Sequence, residues 1–385
     1  MDINKKVKLI PPSGIRAFFD LVLGMKDVIS MGVGEPDFVT PWNIRETAIY
    51  SIEEGWTSYT SNKGLLELRQ DLSKFLAHKY NLDYDPEEEI LITVGVSEAY
   101  DLTMRALICP ADKVLIPEPS YVSYGPLVTL CGGLPVPVVT SPKNGFKITP
   151  RDIERSCDRY TKAMVLNYPN NPTGASYSRT ELREIAKVVD ARNLIVISDE
   201  IYCELTYDFS HTPFPGLPRM RERTIYLNGF SKAYAMTGWR IGYVCGPKEA
   251  ISAMTKIHQY TIMCVPIASQ MSAREALKNG EKSVQEMKRE YGRRRDFVIH
   301  ELNDMGLECH TPEGAFYAFP SIKSTGLSSM DFANKLLKTQ KVAVVPGTAF
   351  GPSGEGYLRI SYASSMDNLR EALARMRKFL QGGKR

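Results

Sequence analysis

The sequence predicts an α/β protein: a large domain on a mostly parallel sheet flanked by helices, followed by a smaller α+β lobe. Three observations carry that prediction. Between residues 89 and 245, short apolar runs alternate with stretches of helical periodicity. The runs at 163–167 and 194–198 are apolar on consecutive residues up to their last, as strands covered on both faces are. Beyond Lys248 the pattern is helical as far as Leu302 and then mixes short strands with helices. A chain of 385 residues is long enough for one large core and a second, smaller one. The expected division is an N-terminal arm (1–40) belonging to the small domain, a large domain (41–275) and a small domain (276–385), with an interdomain helix over 276–305.

Residues 15–24 have the spacing of a short helix with an apolar face, and 28–31 form an extended run ending in Gly32-Val33-Gly34-Glu35-Pro36-Asp37. Helical spacing returns at 41–54 and at 64–80, where Leu65, Leu68, Leu72, Phe75 and Leu76 make one apolar stripe. Strands are predicted at 89–94, 113–116, 135–140, 163–167, 194–198, 224–228 and 240–245. Helices at 97–107, 121–131 and 179–192 fall between them. The smaller lobe carries strands at 315–319, 342–345 and 357–361 and helices at 329–339 and 366–381.

Composition narrows the function classes. Apolar residues at 43%, charged residues at 24% and a net charge of +4 describe an ordinary soluble globular protein. There is no long lysine–arginine run, so neither nucleic acid nor a membrane surface is expected as a partner. The 7 cysteines are odd in number and show no C-x-x-C, and the 5 histidines show no H-E-x-x-H. Neither a disulfide framework nor a metal site is expected. No segment approaches the ~18 apolar residues of a membrane span, and the expected location is cytoplasmic.

The candidate chemistry lies mostly at strand ends. Ser231-Lys232 sits in an apolar, aromatic, glycine-punctuated run from Gly229 to Arg240. Such a setting desolvates an amine, lowers its pKa and makes it a nucleophile; a Schiff-base lysine is what anchors pyridoxal phosphate (PLP). Gly95-Val96-Ser97 follows a strand and opens a helix, so free backbone N–H groups and the positive helix end face an anion. Ser97 also reads as an ordinary helix cap. No G-x-G-x-x-G or G-x-x-x-x-G-K-[ST] pattern competes for a phosphate. Arg240, at the predicted start of a strand, offers a bidentate phosphate clamp or a salt bridge. Asp199 ends the apolar run 194–198, where a carboxylate pairs with a pyridine nitrogen or caps the next turn. Tyr202, three residues on, is placed to donate to the ring oxygen. Asn171, fixed in the double-proline turn Tyr168-Pro169-Asn170-Asn171-Pro172-Thr173-Gly174, is placed to do the same. Tyr121 offers a flat face for a ring. Arg359 has apolar strand neighbours and needs an anion, either a substrate carboxylate or a structural acid.

Taken in order, these segments resemble the class I/II aminotransferases of PLP fold type I over nearly the whole chain. Gly34-Glu35-Pro36-Asp37, Ser58-Tyr59-Thr60, Gly314-Ala315-Phe316-Tyr317 and Arg359 complete the set. Within that family the chain is most similar to bacterial and archaeal broad-specificity aromatic, aspartate and acetyl-diaminopimelate aminotransferases. The resemblance implies that Lys232 carries the cofactor and shuttles a proton, that Asp199 holds the pyridinium, and that Tyr202 and Asn171 bond the ring oxygen. It implies that Gly95, Val96, Ser97, Ser231 and Arg240 surround the phosphate and that Tyr121 stacks on the ring. Arg359 then binds the substrate carboxylate beside the backbone of Gly34. Tyr59 reaches the phosphate of a neighbouring subunit, which implies a homodimer. One departure is Gly229, where many members place a serine on the phosphate. No dedicated second arginine for a dicarboxylate is recognisable.

The activity so implied is ping-pong transfer of an amino group from an L-amino acid to a 2-oxo acid such as 2-oxoglutarate. A carbon–sulfur β-lyase on the same scaffold differs only in the fate of the carbanion. A non-catalytic regulator needs a DNA-binding domain, for which the chain has no room. The side-chain pocket is expected to draw on residues 15–19.

Overall fold

The computed structural model describes residues 1–12, 14, 25 and 27–382. The helix expected at 15–24, and the pocket residues expected at 15–19, lie outside the described residues. The first strand, β1 (Ile29–Ser30), pairs far along the chain with Val342–Ala343. The predicted helices follow as α1 (Trp42–Glu53) and α2 (Leu66–Tyr80).

The central sheet is built from β2 (Ile90–Thr93), β3 (Lys113–Glu118), β4 (Leu134–Val139), β5 (Thr161–Asn167), β6 (Ile195–Asp199), β7 (Thr224–Gly229) and β8 (Gly242–Cys245). Their order across the sheet is β2-β8-β7-β6-β5-β3-β4. All neighbours are parallel except β8, which runs antiparallel to both β2 and β7. Successive residues of β5 face opposite layers, as a pleated strand requires. Ala163 and Val165 pack with α3 (Gly95–Leu107), α4 (Tyr124–Cys131) and the later helix Lys248–Thr261. Met164 and Leu166 pack with the opposite layer, which includes α5 (Arg179–Ala191). This double coverage is why these strands read as uninterrupted apolar runs. Helix α5 starts on a capping box, in which Ser178 accepts from Glu181 N and Glu181 bonds back to Ser178 N.

Several boundaries differ from the prediction, these among them. The strand expected at 240–245 starts at Gly242, because Arg240 has a left-handed backbone (φ 51°) that no strand accommodates. The helix expected at 121–131 starts at Tyr124. The strand expected at 342–345 is two short strands, Val342–Ala343 and Val345–Pro346, which belong to different sheets.

The helical stretch after Lys248 is three helices, α6 (Lys248–Thr261), α7 (Ile267–Asn279) and α8 (Glu281–Asp304), punctuated by Pro266 and Gly280. Val284 of α8 packs into a core shared with α2 and β2, whereas Tyr291, Val298 and Leu302 pack into another. That second core joins Phe316, Phe332, Val342, Ile360 and Leu369, and Met31, Ile201 and Tyr202 extend into it. A cavity opens where this second core meets the α3 and α4 layer of the central sheet, lined by Ile201, Tyr202 and Tyr317 of the one and by Tyr100, Tyr121 and Tyr124 of the other.

Candidate active site

Sheet register gathers the site. In parallel sheets ligands sit at the carboxyl ends of strands, and here β3, β5, β6 and β7 all end on one edge. That edge presents Tyr121 after β3, Asn167 and Asn171 at and after β5, Asp199 at the end of β6, and Lys232 after β7. The reversed strand β8 completes the arrangement. Its first residue, Gly242, is registered against both Thr93 and Gly229. Arg240, just before it, is thereby set against the start of α3. A side-chain carbon on Gly95 would lie 2.6 Å from Arg240 Nη2. Gly95 also has φ 73°, so the turn that opens α3 needs glycine on both counts.

The same packing accounts for Gly229. A Cβ there would lie 2.9 Å from the Gly242 Cα and 3.1 Å from the Ile241 carbonyl. The β7–β8 approach leaves no room for the serine expected at this position. Ser97, Ser231 and Thr237 line the nearby wall instead.

The cavity has a volume of about 950 Å³. Of the residues singled out from sequence, it brings together Gly34, Val96, Ser97, Tyr121, Asn171, Asp199, Tyr202, Ser231, Lys232, Arg240 and Arg359. Gly95 stands directly behind Arg240. Tyr59 is not among the lining residues and is 82% exposed on this protomer.

Lys232 Nζ donates to the Gly34 carbonyl at 2.7 Å and lies 5.8 Å from the ring centres of both Tyr202 and Phe316. Burial pulls its amine down to about 8, against the attraction of Glu35 and with help from the positive charges of Arg359 and Arg240. Asp199 is buried, and burial pushes its carboxyl up to about 6. The Tyr124 hydroxyl, donating to Oδ2 at 2.6 Å, and the Ile201 amide oppose that rise.

Arg359 lies on a short strand (Leu358–Ser361) of the smaller lobe and is 2% exposed. Nη1 donates to Asn171 Oδ1 at 3.0 Å and Nη2 to the Gly32 carbonyl at 2.5 Å, while buried Nε has no partner. Asn171 Oδ1 is thus committed to Arg359, which fixes the amide and turns its NH₂ group to other acceptors. The Tyr202 hydroxyl is bonded to that of Tyr317 at 2.8 Å, and the Tyr317 ring lies 4.6 Å beneath the Arg359 guanidinium.

The cavity residues that were not assigned a role from sequence include Tyr124, Tyr317, Asn167 and Glu35. Asn167 donates to the Asp199 carbonyl at 2.9 Å and accepts from Asn171 N at 3.1 Å, tying two strand ends together. Tyr124 follows Tyr121 by three residues, a spacing that signals only a shared helix face. Tyr317 lay inside a recognised motif, and Glu35 in another, but neither motif named a contact.

The family profile described as aminotransferase class I and II matches residues 26–376. A Bacillus subtilis protein, YugH, whose name places it among aminotransferases without a substrate, is 54% identical over 98% of each chain. The aspartate aminotransferase of Pyrococcus abyssi is 45% identical over 99% of each. The crystal structure of an aromatic aminotransferase from Pyrococcus horikoshii superposes with a TM-score of 0.92 at 43% identity, covering 96% of this chain and 99% of that one.

Proposed function

The chain belongs to the class I and II aminotransferases, PLP-dependent enzymes that move an amino group between amino and 2-oxo acids, and we propose that the cavity at the carboxyl ends of its parallel strands performs this transfer, with 2-oxoglutarate as acceptor. One observation carries the assignment to this cavity: a desolvated amine, Lys232, and a desolvated carboxylate, Asp199, line the same space. The relatives named are aminotransferases, and the carbon–sulfur lyase reading gains no support from them.

The residues fit PLP. A carboxylate suited to a pyridinium, a helix N-terminus without a side-chain cap beside Arg240, and an amine with a lowered pKa line the same cavity. When bound, the cofactor supplies an aldehyde for the amino group and a ring that accepts the electron pair released at the substrate Cα. Lys232 is its covalent anchor. With the cofactor bound, Lys232 Nζ would be the group that accepts and returns the substrate Cα proton, a role that needs the neutral amine which burial favours. Asp199 keeps a positive ring nitrogen in place. Arg240, Ser97, Ser231 and the backbone N–H groups at Gly95 and Val96 hold the phosphate. Tyr121 covers one ring face. Asn171 Nδ2 and the Tyr202 hydroxyl donate to the ring oxygen; Tyr202 does so while accepting from Tyr317. Arg359 grips the substrate carboxylate, with the backbone at Gly34 alongside.

The working unit is a homodimer. Exposed Trp42, Ile49, Tyr50, Ile52, Trp56 and Tyr59 form an apolar surface on α1 and the loop after it, and Asn62 of that loop bonds to the Met263 carbonyl beside exposed Tyr260 and Ile262. Tyr59 from one protomer completes the phosphate site of the other. The proposed division into two domains stays at 275/276, shortly before α8, which contacts both cores. Seven unpaired cysteines fit a reducing, cytoplasmic setting. The test is a panel of amino donors with 2-oxoglutarate, following cofactor absorbance and glutamate formation. Failure of every donor to form glutamate refutes the acceptor.

A further inference from the structure

We propose that Tyr124 is a positioning residue for this reaction: its hydroxyl holds the Asp199 carboxylate ionised and oriented, and so keeps a proton on the cofactor's ring nitrogen. The inference rests on the reading above, in which Asp199 faces that nitrogen.

The geometry is direct. Tyr124 Oη donates to Asp199 Oδ2 at 2.6 Å inside the protein. Oδ1 has only a long bond, 3.3 Å, from the Ile201 amide. One carboxylate oxygen is therefore committed to the phenol, and the other is left for a ligand. Tyr124 is itself held rigidly. It is the first residue of α4, the Tyr100 hydroxyl donates to its backbone carbonyl at 3.2 Å, and the Tyr100 and Tyr121 rings pack at 4.9 and 5.6 Å.

The other titratable groups that act on Asp199 do not substitute for this bond. Glu200 is next in the chain and repels, but its oxygens are engaged by Ser198, Tyr168, the Phe214 amide and His211. Lys232 attracts, yet loses that charge on anchoring the cofactor. Tyr100 and Tyr202 sense Asp199 without bonding to it; their hydroxyls are directed to the Tyr124 carbonyl and to Tyr317. Among the described residues, Tyr124 is the one side chain that donates to this carboxylate.

A carboxylate opposite a ring nitrogen shares one proton with it. A donor on the carboxylate lowers its basicity and leaves the proton on nitrogen. Without the donor the N–H bond breaks, an O–H bond forms on Asp199, and no net proton is exchanged with solvent.

The test uses Tyr124→Phe, which keeps the ring and removes the donor, loaded with pyridoxal phosphate carrying ¹⁵N in the ring. Between about pH 6 and 8 the ring signal of the variant is expected to move toward that of unprotonated pyridine. Turnover, kcat, is expected to fall about tenfold or more with KM changed by less than about twofold, because the bond acts on the chemical step. Replacement of Tyr124 by 3-fluorotyrosine, a stronger donor of the same shape, is expected to move the signal the opposite way. It keeps the question open to test even if the phenylalanine variant folds badly. A purely structural Tyr124 lowers stability and leaves the ¹⁵N signal of both variants at the wild-type value, and that result overturns the proposal. A wild-type protein that takes up no cofactor overturns the functional reading itself, so the two failures are distinguishable.

Discussion

Replacing Arg359 by lysine keeps one positive charge in the cavity and removes the planar fork. In the native protein the guanidinium is 2% exposed, spans Asn171 and the Gly32 carbonyl, and has no carboxylate within ion-pair distance among the described residues. A buried cation in this condition is desolvated without compensation, and its pKa is lowered accordingly. In the proposed reading the substrate carboxylate is the missing anion. An ammonium reaches one of the two acceptors and cannot grip a carboxylate at two points. Loss of one charge-assisted hydrogen bond costs roughly 1.5–3 kcal/mol. At 1.36 kcal/mol per tenfold, kcat/KM for an amino-acid donor is expected to fall about 10- to 150-fold. Most of that loss belongs in KM, since the carboxylate is held alike before and during the chemical step. The assay is steady-state amino transfer from a donor the wild type accepts, compared with the matching amine that lacks the carboxylate. The wild type should discriminate strongly between the two, and Arg359→Lys much less. An unchanged KM, or undiminished discrimination against the amine, refutes the assignment of Arg359 to the carboxylate.

Three further outcomes are expected. Lys232→Ala should abolish amino transfer and the absorbance of the protein-bound cofactor, while free cofactor still enters the cavity weakly; ordinary turnover by this variant contradicts the covalent role. Cofactor capture by cofactor-free protein should accelerate as pH rises from about 6 to about 9. Asp199, pushed up to about 6, becomes ionised in that range, and the Lys232 amine, pulled down to about 8, becomes neutral; both changes favour capture, so a flat profile in stopped-flow measurements contradicts the pair. Gly95→Ala places a methyl 2.6 Å from Arg240 Nη2 and strains a left-handed backbone by roughly 1–2 kcal/mol. Cofactor affinity by equilibrium titration should drop about tenfold or more, and an unaltered dissociation constant argues against phosphate binding at this turn.

Periodicity made the sheet legible because both faces are buried: residues of β5 and β6 pack alternately into two apolar layers, so strand and core could be read from the same letters. Strand-end chemistry was legible too, since Asp199, Asn171 and Lys232 sit where a parallel sheet places its ligands. Antiparallel β8 was not. Nothing local marks the direction of a short apolar run, and only the register at Gly242 explains why Arg240 meets Gly95. The left-handed conformation of Arg240 was equally hidden, because arginine carries no signal for it. Contacts between distant segments escaped for the same reason. The bonds from Tyr124 to Asp199 and from Tyr317 to Tyr202 span 75 and 115 residues. Tyr59 is exposed, and the role proposed for it belongs to an assembly and not to this fold alone.

The most direct test of the site is to fix the cofactor in place chemically. The loaded protein is reduced with borohydride, digested and mapped by mass spectrometry. A single pyridoxyl group on the peptide containing Lys232, absent from Lys232→Ala, is the expected result. A pyridoxyl group on another lysine, or none on a protein that still transfers amino groups, contradicts the site at its foundation.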